Sequence, residues 1–150
     1  MRCYPALVQL HILSELEMGY EICNGTCKST DTDVFRGTHQ TGPDISSLNT
    51  NWDHRLSVVL PSHKQRAKIL SVRRTIFELA NKTQNVAETW LSVCKSLRQI
   101  GRFETAMIAL RHAELQGLSS EDVLLEQCHI LRETGNMRKA LFLLEPGILL

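Results

Sequence analysis

The chain has 150 residues, with 17 lysine and arginine residues against 16 aspartate and glutamate residues, and a formal net charge of +1. This length is sufficient for one compact domain, and the near-neutral charge gives no reason to expect binding to nucleic acid or to an anionic membrane surface. Aromatic residues make up only 5% of the chain, which favours a helical protein over a β-sandwich.

The cysteine count and the hydropathy pattern point to an intracellular protein. No run approaches the about 18 consecutive apolar residues that a membrane-spanning helix needs, and the start of the chain lacks the pattern of a secretory signal. The five cysteines are an odd number, so reduced thiols are expected rather than a disulfide framework.

The first half of the chain predicts helices separated by one long loop. Residues 1–23 form the first predicted helix, with apolar residues at every fourth position: Val8, Ile12, Leu16 and Tyr20. Residues 24–50 are rich in Thr, Ser, Asp and Gly and show no apolar period, which indicates a mobile surface loop. Residues 51–82 predict a short helix ended by Pro61 and then a longer one with apolar residues at helical spacing.

The last third of the chain repeats itself at an offset of 34 residues. We predict two repeats, 86–118 and 120–147, each made of two helices. The identities between them pair Leu91 with Leu125, Cys94 with Cys128, Leu97 with Leu131, Arg98 with Arg132, Gly101 with Gly135, Ala106 with Ala140 and Leu110 with Leu144. A period of about 34 residues is that of the tetratricopeptide unit, a helix-turn-helix.

The residues shared by the two repeats suit the parts of such a unit. Trp90, Cys94 and Leu97 supply the inner stripe of a first helix, and Gly101 ends it where the backbone needs a left-handed conformation. The second helix then presents Ala106 where two helices cross and Leu110 in the next layer. The same structural roles are predicted in the second repeat for Cys128, Leu131, Gly135, Ala140 and Leu144. The sequence thus predicts an all-α fold, a segment of a tetratricopeptide-like α-solenoid of helical hairpins.

Two groups of cysteine and histidine residues offer candidate chemistry, one as a metal site and one as a catalytic nucleophile. Cys23 and Cys27 with His11 or His39 could ligate a metal, but their spacing is not that of a zinc site and no second cysteine pair follows. Cys94 or Cys128 could act as a nucleophile beside His112 or His129, but both cysteines fall on an apolar stripe, where packing is the commoner role. We predict no catalytic residue, no metal site and no cofactor in this segment.

Two charged motifs offer a functional interpretation as well as a structural one. Asp53-His54-Arg55 resembles a scrambled kinase catalytic loop but lacks the asparagine that follows it there, and a helix N-terminus is the better interpretation. Positive charges cluster in the next helix and could bind an acidic partner, although they are spread around the helix axis and favour a solvated surface: Lys64, Arg66, Lys68, Arg73 and Arg74.

Several segments, taken in order, resemble one family. They are residues 6–17, Asn51-Trp52 with Arg55-Leu56, residues 69–74 and residues 88–91, followed by the repeat. This order is similar to that in the FAT domain of the checkpoint kinases among the phosphatidylinositol-3-kinase-related protein kinases. The resemblance covers nearly the whole chain outside residues 24–50.

The resemblance implies a function that the residues alone do not. In that family the FAT domain is an α-solenoid that curls around a serine/threonine kinase domain and transmits regulation to it, in a nuclear protein that responds to stalled replication with a DNA-bound partner subunit. ATP and magnesium would belong to the kinase domain, outside this chain. The expected partners are that kinase domain, the adjoining helical repeats and regulatory proteins, with neither direct nucleic acid binding nor membrane binding.

Two functions therefore stand as hypotheses. The first is a non-catalytic scaffold segment of such a kinase. The alternative is a free-standing tetratricopeptide-like adaptor that binds a peptide or helix of a partner, and an enzyme acting through Cys94 or Cys128 is a distant third.

Overall fold

The computed structural model describes residues 4–24, 52, 54–56 and 63–144. Every regular element within these ranges is an α-helix, so the predicted all-α class is confirmed. The predicted mobile loop, apart from Asn24 at the end of the first helix, lies outside the described residues, as do 57–62 and 145–147. None of the helices in the described ranges is long and apolar enough to cross a membrane.

Six helices have defined bounds in the described part of the chain. They are α1 (Tyr4–Asn24), α2 (His63–Leu79), α3 (Thr83–Gln99), α4 (Phe103–Leu115), α5 (Ser120–Glu133) and α6 (Met137–Leu144). Trp52 and residues 54–56 are helical as well. The chain divides into two compact units, residues 1–72 and 73–150, and the boundary between them falls inside α2.

The buried face of α1 differs from the predicted stripe. Val8 is buried, but Leu16 and Tyr20 are 45% and 70% exposed, and the buried line instead continues from Val8 through Glu15 and Gly19. A step of four residues turns about 40° beyond a full turn, so a stripe at every fourth position rotates away from one face. The sequence pattern failed here because α1 is apolar on more than one side.

Four helices in the described ranges end with the same backbone arrangement. After α3, the N–H of Gly101 donates to the carbonyl of Arg98 at 2.9 Å and that of Arg102 to the carbonyl of Leu97 at 3.0 Å, which is the Schellman motif. The same pair of bonds follows α2, α4 and α5. The turning residues all have positive φ: Asn81 (54°), Gly101 (76°), Gly117 (93°) and Gly135 (79°).

Replacing Gly101 with alanine is expected to lower the free energy of unfolding by about 1 kcal/mol, because a Cβ is strained at positive φ. A Cβ built at Gly101 meets no atom within 4 Å, so this cost comes from the backbone alone. Gly101→Asn, which tolerates this conformation better, should cost less than Gly101→Ala. Urea unfolding followed by circular dichroism measures both, and equal costs would contradict the backbone explanation.

One helix begins earlier than predicted, and its first residues explain the difference. α5 begins with a side-chain cap, because the Ser119 hydroxyl accepts a hydrogen bond from the N–H of Asp122 at 3.1 Å. α3 begins at Thr83, three residues before the predicted start near residue 86, and its N-cap Lys82 makes no side-chain cap. Without a capping residue, nothing in the sequence marks that first turn.

Consecutive helices pack against one another from α3 to α6, as two hairpins joined through α4 and α5. The α3–α4 hairpin is packed through small residues. Ala106, Ala109 and Ala113 of α4 are buried, and Ala87 and Cys94 of α3 belong to the same core cluster. Small side chains at helical spacing let the backbones of two helices approach closely. This close packing holds α3 in place, and with it the side chains that α3 presents to the second hairpin.

Candidate interface between the two helical hairpins

A buried ion pair joins the first helices of the two hairpins. The Nε of Arg98 on α3 donates a hydrogen bond to the Oε1 of Glu126 on α5 at 2.6 Å, and the other end of the same guanidinium donates to Glu133. The Glu126 side chain is only 4% exposed, whereas those of Arg98 and Glu133 are 16% and 32% exposed. Arg98 thus bridges two carboxylates that lie two turns apart on one helix.

The electrostatics of this cluster favour the charged form of Arg98. The hydrogen bond that Arg98 donates to Glu126 raises the pKa of Arg98 above its already high ordinary value, against the lowering effect of burial, and Glu133 adds to the increase. A carboxylate as buried as Glu126 would be costly without a partner. We therefore regard Arg98 as the residue that permits Glu126 inside the interface and fixes how α5 lies on α3.

Trp90 forms a second contact that links three helices. Its ring stacks on that of His112 from α4, with ring centres 4.7 Å apart and planes inclined by 18°. The guanidinium carbon of Arg74 on α2 lies 4.3 Å from the centre of the indole ring, and Arg74 also pairs with Glu78 at 3.5 Å. Cation–π and ring stacking therefore hold α2 and α4 to the same side chain of α3.

The two repeated cysteines are packing residues in the structure. Cys94 is fully buried in the core cluster, and burial raises the pKa of its thiol to about 12, with a further contribution from the charge of Glu126. Cys128 is buried too, and its Sγ lies 3.6 Å from the carbonyl oxygen of Ala140, to which it donates a weak hydrogen bond. A nucleophile needs an accessible thiolate, so the geometry gives no support to the catalytic hypothesis.

The raised pKa of Cys94 predicts alkaline destabilisation. The thiol has a pKa near its ordinary value of 9.0 in the unfolded chain and of about 12 in the folded chain. The stability that the neutral buried thiol contributes is therefore fully present below about pH 9 and is lost as the pH rises toward 12. At pH 10 the expected loss is about 1.4 kcal/mol. Urea unfolding of the wild type and of Cys94→Ala at pH 8 and pH 10 tests this, because other titrating groups cancel in the difference. A difference that does not shrink by pH 10 would contradict it.

The remaining predicted repeat residues lie around these contacts. Cys94, Ala106 and Leu110 belong to one buried cluster, against which Trp90 and Leu97 pack. Leu131 is half-buried and Ala140 is buried, whereas Leu144 is 52% exposed. That these positions define tetratricopeptide-like repeats stays a prediction. The sequence reasoning missed Glu126 and Glu133, whose only signal was the repetition of their partner Arg98 as Arg132. It considered His112 beside a reactive cysteine and missed its stack on Trp90.

Two of the four residues of the metal-site hypothesis lie outside the residues that the structure describes. Cys27 and His39 lie outside the described ranges, Cys23 is exposed, and the Nε2 of His11 lies 2.9 Å from the Oε1 of Glu15. Within those ranges no three His, Cys, Asp or Glu residues are grouped so that they could hold a metal ion.

Of the two charged motifs, the structure describes all of the basic cluster and part of the other. Asp53 lies outside the described residues, and Arg55 donates to the hydroxyl of Ser14 at 3.3 Å. Within the predicted basic cluster, Arg73 is buried while Lys64 and Lys68 are exposed. These charges therefore do not share one open surface, and binding of an acidic partner there stays untested.

Comparison with known proteins agrees with this helical architecture. The FAT domain model matches residues 1–148. The chain is 29% identical over 148 residues to the serine/threonine-protein kinase ATR of Arabidopsis thaliana. The aligned region covers 99% of this chain. It is 28% identical over 117 residues, 78% of the chain, to the ATR kinase of Oryza sativa subsp. indica. No solved structure matches.

The chain corresponds to a small part of these relatives, since it spans 5% of the Arabidopsis kinase and 4% of the rice kinase. The family match, in contrast, extends over nearly every residue. The resemblance seen in the sequence is therefore confirmed, and the chain belongs to the FAT domain family.

Proposed function

We propose that the chain is a non-catalytic scaffold segment of an ATR-like serine/threonine kinase, in which its helical hairpins position and regulate a kinase domain that lies outside the chain. The observation that supports this is the ion-pair link between the hairpins: Arg98 joins α3 to α5 through Glu126 and Glu133. A chain of packed, hydrogen-bonded helices can transmit a displacement from one end to the other.

The same proposal assigns the remaining properties to the parent protein. ATP, magnesium and the catalytic residues belong to the kinase domain, and the partners are that domain, the neighbouring helical repeats and regulatory proteins. The parent acts in the nucleus, in the checkpoint response to DNA damage and stalled replication, without DNA contacts from this segment. The near-neutral charge of the chain is compatible with a segment that contacts protein rather than nucleic acid.

The test uses the full-length kinase with Arg98→Met and with the double change Arg98→Met/Glu126→Leu. The single variant loosens the link between the hairpins and is expected to lower kcat several-fold without changing KM for ATP. The double variant replaces the ion pair with apolar packing and should restore most of the activity. If neither variant alters kcat, the proposal is overturned, because the kinase activity would then not depend on how the two hairpins pack against each other.

A further inference from the structure

The turn between α5 and α6 carries a hydroxyl group that contacts both ends of the turn. Thr134 is exposed at the end of α5, where its Oγ1 donates a hydrogen bond to the carbonyl oxygen of Leu131 at 3.0 Å. The same Oγ1 accepts a hydrogen bond from the Nδ2 of Asn136, the residue before α6, at 3.2 Å. Thr134 is therefore accessible to an enzyme, and a group attached to its oxygen lies beside the start of α6.

The first turn of α6 carries two positive charges that do not stabilise the fold. Arg138 and Lys139 are exposed, and within the described ranges neither is found in an ion pair. No acidic residue lies in this first turn, although the helix dipole favours anions there and disfavours cations. The two charges thus oppose the dipole of α6 without a partner of opposite sign.

The matching turn between α3 and α4 lacks this combination. It forms the same Schellman arrangement, so neither the hydroxyl nor the two cations are needed for the turn itself. Its first helical turn carries an acidic residue instead, as the dipole favours. At the offset of 34 residues the counterparts are Ile100 for Thr134, Glu104 for Arg138 and Thr105 for Lys139.

We propose that Thr134 is a phosphorylation site and that Arg138 and Lys139 hold its phosphate. A phosphothreonine carries about −1.5 to −2 charge at pH 7 and three acceptor oxygens, which suit an arginine and a lysine together. The adjacent carboxylate, that of Glu133, accepts a hydrogen bond from Arg98 of the first hairpin, so part of its repulsion of the phosphate is offset. The phosphate then links the end of α5 to the start of α6 through charge-assisted bonds.

The modification is a phosphoryl transfer from ATP, carried out by a separate serine/threonine kinase. A bond forms between the Oγ1 of Thr134 and the γ-phosphorus, and the bond from that phosphorus to the bridging oxygen breaks. ADP leaves with the electron pair, and the hydroxyl proton passes to a base of that kinase. The modified oxygen no longer donates to Leu131, so the two cations must outweigh that loss. The inference uses this turn alone and does not depend on the scaffold function.

Mass spectrometry of the full-length protein, isolated from its own cells with phosphatase inhibitors, tests whether the site is used. Trypsin cleaves after Arg132 and Arg138, and the peptide 133–138 contains Thr134 as its only hydroxyl residue. A phosphorylated form of this peptide is expected. Its absence from both growing and DNA-damaged cells would overturn the assignment of Thr134 as a modification site.

The sequence also offers a route to a fully phosphorylated sample. Cys128 permits ligation of residues 1–127, as a thioester, to a synthetic segment 128–150 that carries phosphothreonine at position 134. The phosphate is titrated by phosphorus NMR in the refolded chain and in the isolated segment, with the unmodified ligated chain as the reference for folding by circular dichroism. The second pKa of the phosphate is expected to be about 0.5 unit lower in the folded chain, because folding brings the two cations to it.

Arg132→Gln in the segment is the matched control. Arg132 is also exposed and two residues from Thr134, but positions two apart on a helix do not face each other, so most of the lowering should remain. Arg138→Gln with Lys139→Gln should abolish it. An equal second pKa in the folded chain and the segment, or an equal effect of Arg132→Gln and the double variant, would contradict the proposed contacts. None of these measurements involves kcat, so this proposal and the scaffold function can fail independently.

Discussion

Replacing Arg98 with methionine is expected to lower the free energy of unfolding by about 3 kcal/mol, because it leaves the buried carboxylate of Glu126 without its partner. Glu126 is 3% exposed, and its hydrogen bond from Arg98 is 2.6 Å long. We expect a loss at the lower end of the range for broken buried ion pairs, because the Arg98 side chain is 16% exposed and water can reach the site. Urea unfolding at neutral pH measures it.

A double-mutant cycle separates this cause from simple loss of packing. Glu126→Leu in the Arg98→Met background should recover most of the stability, because the only carboxylate of the cluster that then remains, that of Glu133, is 32% exposed and can be hydrated. Glu133→Gln alone should cost less than about 1 kcal/mol, since the Glu133 side chain is 32% exposed. Costs of Arg98→Met that are the same with and without Glu126 would show that the ion pair is not responsible.

The parts of the fold that sequence reasoning predicted are those fixed by local rules. The ends of α3 and α5 were predicted from Gly101 and Gly135, because a positive φ is a property of one residue and its neighbours. The end of α2 at Asn81 was missed, although asparagine adopts this conformation more readily than other residues with a Cβ.

The contacts between helices were not predictable in the same way. Glu126 lies 28 residues from Arg98, and only the stacking of one hairpin on the next brings them together. The stack of His112 on Trp90 likewise depends on the close approach of α3 and α4. The misassigned face of α1 has a related origin, because its apolar residues lie on several sides and its sequence alone does not show which side packs.

Trp90 has no counterpart in the second repeat, where Leu124 occupies the equivalent position. This difference makes its stack a specific feature of the first hairpin. The indole is where Arg74 of α2 and His112 of α4 meet α3. Removing it should therefore affect three helices together, rather than one local contact.

Trp90→Ala is expected to lower the free energy of unfolding by about 3 kcal/mol, from the lost burial of the indole and the cavity that remains. Trp90→Phe keeps a ring for the stack and should cost about 1 kcal/mol. Circular dichroism at 222 nm is the appropriate signal, because the substitution removes one of only two tryptophans and with it much of the fluorescence.

The contributions of the two stacking partners can be measured against these values. Arg74→Ala removes the cation–π contact and the pair with Glu78, and His112→Ala removes the ring stack, so each should cost about 1 kcal/mol in the wild type. In the Trp90→Ala background both costs should fall by at least half, because the indole they contact is absent. If they stay unchanged, Arg74 and His112 stabilise the hairpin through other contacts, and Trp90 does not connect α2 and α4.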